Sequence, residues 1–232
     1  MSPSSRAPSI SLTLAEPLRR NVCLGLVSAA PIAVGPSSDD LVEETAALAD
    51  ELTRRYAGLM PAEIDDLAPA RELYRHFGID PTKTRPSSEA LLRRVLKAKP
   101  LPRIISAVDL CNLLSLKFLL PIGLYDAGKI TGDVELRRGT PGESFPGIRK
   151  ADVHLEGRPV LVDPLGPFGN PTSDSARTSV DEGTKSLWMV IFGPASFPAE
   201  RMEANVLDAE DGMRRHLHPE GLEVDTSGAV LA

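Results

Sequence analysis

The feature that most constrains this chain is a change in hydrophobic period near residue 128. Upstream, Leu41, Val42, Thr45, Leu48, Ala49 and Leu52 recur at helical spacing, as do Leu91, Leu92, Val95 and Leu96. Downstream of the turn Tyr125-Asp126-Ala127-Gly128, Ile130, Gly132, Val134 and Leu136 alternate with Thr131, Asp133, Glu135 and Arg137. That alternation is the period of a half-buried strand. Helices first and mainly antiparallel strands later predict an α+β class: a single domain whose mixed, mainly antiparallel sheet is flanked by helices.

The elements follow from local signals. Residues 21–27 read as a buried strand, and a Pro/Gly/Ser break runs to Ser38. A helix over 39–56 opens on acids, which suit its positive end. Part of 61–77 is helical and closes at Gly78. Pro81 and Pro86 hold the next segment extended up to Ser87, a candidate N-cap for a helix over 89–99. Residues 104–120 are apolar almost all round, so that helix must be central. Residues 152–155 and 159–163 predict a hairpin around Glu156-Gly157-Arg158. Residues 163–180 read as a long structureless loop, followed by a strand over 187–192 and a last helix over 199–217. The expected organisation is a loose leader (1–20), the domain (21–217, with its motifs in 72–193) and a loose tail (218–232).

Of the 232 residues, 42% are hydrophobic, enough to build one core, and 25% are charged, near the soluble average. No apolar run approaches the roughly 20 residues of a membrane span. The first nine residues carry no hydrophobic block, so a cytoplasmic location is expected. Cys23 and Cys111 sit in apolar runs 88 positions apart and read as small core residues.

Charge is distributed unevenly. Lys83, Arg85, Arg93, Arg94, Lys97, Lys99 and Arg103 face a single acid, Glu89, between residues 83 and 103, giving +6; the whole chain is −6, so the remainder is −12. An acidic body with one basic stripe fits a local anionic ligand, or else a solvated helix face. The extended run Lys83-x-Arg85-Pro86-Ser87 leads into Arg93-Arg94, placing cations beside a helix start, a combination that favours phosphate or carboxylate.

Common catalytic signatures are missing: no Walker loop, no Gly-rich dinucleotide turn after a strand, no His-Glu-x-x-His and no Cys-x-x-Cys. The four histidines are scattered, so neither metal nor cofactor is expected. Two polar groups remain. Asp109 and Asn112 share a face of the central helix, where Asp109 either ties loop amides or faces a pocket. The loop offers Asp163, Asn170, Thr172, Ser173, Asp174, Ser175, Arg177 and Thr178, with Thr184 opening the next strand. Hydroxyls, an amide and one Arg in a Gly-rich setting suit a small polar ligand.

In order, these motifs form a recognisable series. Lys83 to Lys97, then Val108-Asp-Leu-Cys-Asn112, Tyr125-Asp126-x-x-Lys129-Ile130-x-Gly132, Leu136-Arg137, Pro141-Gly142-Glu143 and Gly166 to Thr178 resemble the B3/B4 domain of the phenylalanyl-tRNA synthetase β subunit. The similarity to free-standing relatives of that domain is closer still, and it covers residues 72–193. The resemblance implies an editing domain that hydrolyses a wrongly attached aminoacyl ester on tRNA by positioning the ester and a water. Asn112, Asp126, Arg177 and Thr178 would then be catalytic. Asp109, Gly123, Asn170, Thr172, Asp174, Ser175 and Thr184 would bind the substrate. Lys83, Arg85, Ser87, Arg93, Arg94 and Lys97 would hold RNA. Gly123 and Pro171 stand where the synthetase carries the histidine and glutamate that read tyrosine, so tyrosine selectivity is not expected.

Three readings follow. The first is a trans-acting aminoacyl-tRNA deacylase, with the aminoacylated 3′ end of tRNA as partner and neither DNA nor membrane. The second is a non-catalytic tRNA- or RNA-binding module. The third is a sensor of a free amino acid, whose carboxylate Arg177 would clasp.

Overall fold

The computed structural model describes residues 6–16, 18–149 and 151–231. Along the chain the elements are β1 (Leu12–Leu14), β2 (Val22–Ala30), α1 (Asp39–Arg55), α2 (Ala68–His76), α3 (Ser87–Val95) and α4 (Ser106–Phe118). There follow β3 (Ile122–Asp126), β4 (Val134–Arg138), β5 (Ser144–Phe145), β6 (Val153–His154), β7 (Pro159–Asp163), β8 (Gly166–Asn170) and β9 (Ser173–Asp174). The last three are β10 (Leu187–Pro194), α5 (Ala199–His216) and β11 (Asp225–Leu231).

The strands form two main sheets where one was expected. One sheet has the order β1-β4-β7-β8-β9 and the other β11-β2-β10-β3; β5 and β6 pair separately. Among the pairs of described strands β1–β4 alone is parallel, so the α+β, mainly antiparallel class holds.

Alternation along the two central strands explains the stacking. From β10, Leu187, Met189 and Ile191 enter a core shared with α4 and α5, whereas Trp188, Val190 and Phe192 enter the core between the sheets. From β2, Cys23, Val27 and Ala29 join the first core, and Val22, Leu24 and Leu26 join the second. Successive strand residues point to opposite faces, so an unbroken apolar run is stable only when both faces are covered. The result is a layer of helices, then the four-stranded sheet, then the five-stranded sheet. Each fully buried large apolar side chain contributes roughly 1.5–3 kcal/mol. The six residues Leu187 to Phe192, at most 1% exposed, therefore anchor the fold.

The helices start and stop largely as their sequences dictate. The Ser38 side chain accepts from the Leu41 amide at the start of α1, where Asp39 and Asp40 occupy the first turn. At α3 the N-cap is Pro86 and not Ser87; Ser87 is the first helical residue, and its hydroxyl makes no capping bond. α4 ends at Leu119 in the left-handed region (φ 55°).

Several expectations change. The leader beyond residue 5 is not loose: β1 pairs with β4, and Leu18 is fully buried. Residues 1–5 and 17 of that expected leader lie outside the described residues. The tail is not loose either, because β11 pairs with β2 over seven positions and completes the four-stranded sheet. The hairpin expected over 152–163 does not form. β6 pairs with β5, and β7 pairs with β4 and β8, because the Leu155–Arg158 turn wraps the Gly139 backbone instead of reversing the chain. The long loop is structured as β8, β9 and a 3-10 turn over Ala176–Thr178.

The turn after β4 is fixed by Arg137, whose guanidinium bonds both Glu143 carboxylate oxygens at 2.7 and 2.8 Å. Chiefly through that bond the Glu143 pKa falls to about 2, against 4.5 for an unperturbed glutamate. A depressed carboxylate pKa adds stability that is complete above the unfolded value and lost as pH falls through the folded one. The urea midpoint should therefore decline from about pH 4.5 towards pH 2, and Glu143→Gln should flatten that decline in parallel titrations.

Candidate functional site

The predicted site residues separate into three places. Around the end of β3, Asp126 is buried, with Oδ1 accepting from the Gly128 amide (3.0 Å) and Oδ2 from the Thr184 hydroxyl (2.8 Å). The Lys129 ammonium lies 3.4 Å from Asp126 Oδ2 and donates to Asp181 Oδ2 and the Ser179 carbonyl, each at 2.7 Å. Burial works against the charge on Lys129, but its bond to Asp181 and the charges of Asp126 and Asp181 raise its pKa overall.

The carbonyl of Lys129 links this cluster to the second. Arg177 Nη1 donates to it at 3.2 Å and to Asp163 Oδ2 at 3.0 Å; Nη2 donates to Asp163 Oδ1 at 2.8 Å and to the Gly166 carbonyl at 3.1 Å. The guanidinium also lies 5.5 Å from the Phe168 ring centroid. The Asp163 side chain is 0% exposed and further accepts from the Thr131 and Leu165 amides. Arg177 is therefore a clasp that ties the 163–178 segment to β3 and its turn. It is not the free carboxylate ligand that the sensor reading required, because its fork is committed to Asp163.

Nearby loop residues organise their own backbone. Asn170 Oδ1 accepts from the Thr172 and Ser173 amides, both at 2.8 Å, and Ser175 Oγ accepts from the Arg177 amide. Thr172 donates to the Tyr74 hydroxyl (3.2 Å), which itself donates to the Pro171 carbonyl (2.9 Å). Burial pushes the Tyr74 phenol up to about 12.

Between the two sheets lies Tyr125, fully buried and packed edge-on against Phe168 with ring centroids 5.1 Å apart. A Cβ at Gly123 would stand 2.1 Å from its hydroxyl, and one at Gly169 2.2 Å from it. The two glycines thus accommodate a phenol, and Gly123 faces the chain's own side chain. Burial, then the Asp174 carboxylate, lift the Tyr125 phenol well above its usual range; burial, then Asp174, also push up the Cys111 thiol. Asn170 Nδ2 and Thr178 Oγ1 are buried nearby in sequence without a hydrogen-bond partner among the described residues.

The third place holds the remaining pair. Asp109 and Asn112 line a cavity of about 540 Å³ between α1, α4 and the link after α3. Asp109 accepts from the Ser37 hydroxyl (2.6 Å) and the Ile104 amide (2.9 Å), so it both ties loop groups and borders the cavity. Of the basic residues, Arg93 is held by Glu89, which also binds Arg71, and Arg94 donates to the Pro100 carbonyl. Lys83, Arg85, Lys97, Lys99 and Arg103 are exposed and form no ion pair within 4.0 Å among the described residues. Ser87 is exposed beside them.

Sequence reasoning left Lys129, Tyr125 and Tyr74 out of the site. Lys129 stands three residues after Asp126, a spacing that could have suggested their pairing. Nothing local marks Tyr125 or Tyr74, whose partners lie on distant segments. Among the described residues, no three or more His, Cys, Asp or Glu converge in a way that could hold a metal ion, and no helix is long and apolar enough to cross a membrane.

The family model of the B3/4 domain matches residues 69–205. No curated protein matches the chain. Among solved structures, an N-terminal fragment of the phenylalanyl-tRNA synthetase β-subunit from Pyrococcus horikoshii is similar at 14% identity with a TM-score of 0.45. The alignment covers 96% of this chain and 52% of that fragment, so the chain spans about half its length.

Two substitutions test the geometry by urea denaturation. Arg177→Ala leaves Asp163 buried without its cation and should cost about 3 kcal/mol, the low end for a buried pair because Arg177 is partly exposed. Asp163→Asn added to it should recover part of that loss. Gly169→Ala forces a methyl against Tyr125 and should cost about 2 kcal/mol, relieved when Tyr125→Leu makes room.

Proposed function

The chain belongs to the B3/4 domain family, and on that footing we propose that it binds tRNA through the exposed cations between Lys83 and Arg103. The carrying observation is a division of labour among the basic groups. Arg177, Lys129 and Arg93 are committed to internal acids, whereas Lys83, Arg85, Lys97, Lys99 and Arg103 project to solvent without an ion-pair partner among the described residues. Seven cations against one acid over 21 residues of an otherwise acidic chain favour contact with a phosphate backbone there. The −12 carried by the remainder of the chain opposes wrapping by a polyanion, so contact with a short stretch such as an acceptor end is the form this binding takes.

Hydrolysis of an aminoacyl ester at the Asp126–Thr178 region is a second reading, supported by one observation. Asn170 Nδ2 and Thr178 Oγ1 are buried polar groups with no hydrogen-bond partner among the described residues, the kind of group that a water or ligand satisfies. Against it stands the internal use of Asp126 and Arg177, whose charged groups organise the loop. Binding without turnover is therefore the preferred form.

Filter binding with bare tRNA at several salt concentrations tests the first reading. The triple variant Lys83→Ala, Arg85→Ala, Lys97→Ala should bind at least about tenfold more weakly at low salt and lower the log–log salt slope by about 2–3. Equal affinity and slope in variant and wild type would overturn it. Incubation at substoichiometric protein with a panel of correctly and wrongly charged tRNAs follows ester loss in parallel. Turnover abolished by Asp126→Asn would move the assignment to a deacylase.

A further inference from the structure

β11 ends the four-stranded sheet with its outer side open. Its seven residues pair with β2 in continuous register, and no backbone hydrogen bond joins residues 225–231 to any other segment among the described residues. The opposite edge of that sheet, β3, lies against β9. β11 carries no proline, no lysine and no bulge, the devices that usually keep a sheet edge from pairing, and its one charge is Asp225 at the start. Residues 227–229 are exposed. Above the strand α5 runs in the opposite direction. Arg214 donates to the Thr226 hydroxyl, while Val206 and Glu210 cover Gly228, where a Cβ would stand 2.3 Å from Val206 Cγ1 and 3.3 Å from Glu210 Cδ. Glu203, Leu207, Glu210 and Arg214 recur at helical spacing and form a stripe on the flank of α5 beside this edge. Leu207 is 64% exposed, and the exposed Glu203 forms no ion pair among the described residues.

We propose that two copies of this chain pair antiparallel through β11, joining their four-stranded sheets into one continuous sheet. A two-fold axis at Gly228 sets residue 225 opposite 231, 226 opposite 230 and 227 opposite 229, so no like charges face each other across the strands. The helices above fit the same axis. α5 packs on both β2 and β11, so its axis lies between them. In the pair the two α5 helices would stand two strand spacings apart, about 9.6 Å, inside the roughly 8–10 Å at which helices pack. Strand pairing and helix packing are therefore satisfied by a single arrangement. Because the axis passes the Val206–Glu210 turn, the two α5 helices run antiparallel. Leu207 then meets Leu207 of the second copy, and Glu203 approaches Arg214 of the second copy. An exposed leucine is buried and opposite charges meet. A strand from an unrelated protein could satisfy the backbone edge, but it would leave the α5 stripe unanswered, which favours a second copy.

Sedimentation velocity of the full chain over a concentration series tests the proposal, with a dimer expected. Ser227→Lys combined with Ala229→Lys sets lysine opposite lysine across the axis, at two positions exposed in the single chain. It should weaken dimerisation at least about tenfold while leaving the far-ultraviolet circular dichroism spectrum unchanged. Leu207→Cys checks the placement without touching the strand. On oxidation it should give a disulfide-linked dimer, whereas Leu59→Cys, exposed beyond the end of α1, should not. If the paired lysines prevent folding, the crosslinking comparison decides. A monomer at every concentration, a dimer unaffected by the lysines in a folded variant, or equal crosslinking at residues 207 and 59 would each overturn the proposal. The interface contains no residue between Lys83 and Arg103, so its failure and the failure of the tRNA reading are distinguishable.

Discussion

The structure depends on the burial of β10 from both sides. Its odd-numbered apolar residues hold the helices and its even-numbered ones hold the second sheet, so the three layers share a single strand as their spine. Covering both faces of such a strand requires two partners of different kinds, a helical layer and a sheet, and the order of elements along the chain supplies them. β2 repeats the same alternation beside it, and β11, at the end of the chain, closes its other edge. Without β11, β2 would present a nine-residue buried strand as an open edge.

Between the sheets the packing becomes specific. Tyr125, Phe168 and Trp188 form an aromatic cluster, and the Tyr125 hydroxyl reaches a gap that exists only because Gly123 and Gly169 have no side chains. A phenol in that position brings its hydroxyl under the influence of Asp174 in a region otherwise sealed from water. Around it, Lys129 and Arg177 convert what would be a mobile loop into a fixed wall, by gathering Asp126, Asp163, Asp181 and three main-chain carbonyls. Polar networks of this kind restrict conformation when their members are satisfied, and most of these are. Asn170 Nδ2 and Thr178 Oγ1, buried without a hydrogen-bond partner among the described residues, belong to the same segment.

This arrangement shifts the functional emphasis away from the polar loop. Asp126, Lys129, Asp163 and Arg177 serve the fold, whereas the cations from Lys83 to Arg103 other than Arg93 are exposed and form no ion pair among the described residues. The segment from Lys83 to Asn112 carries the cations and, together with α1, lines the cavity, so the two regions adjoin although they differ in character: one is a row of solvated charges, the other a recess with an aliphatic wall.

The sequence by itself determined the class of the fold, most of the helices, the strand over residues 187–192 and the existence of a basic stripe. These are set by the period of apolar residues and by local caps and turns, which act over a few positions. At Asp109 the sequence left two readings open, a tie to loop amides or a pocket-facing carboxylate; the side chain accepts from the Ser37 hydroxyl and the Ile104 amide and borders the cavity. Only the tertiary structure decided that residues 163–178 hold two short strands and a 3-10 turn, that the tail contributes the strand β11 and that β6 pairs backward with β5, because those pairings join segments whose own patterns are short or polar. It likewise decided which charges are free. Arg177 and Lys97 look equivalent in sequence, yet one meets a buried carboxylate fourteen residues away and the other meets none within reach. Whether a cation is a clasp or a ligand depends on what long-range packing brings to it, and no local pattern carries that information.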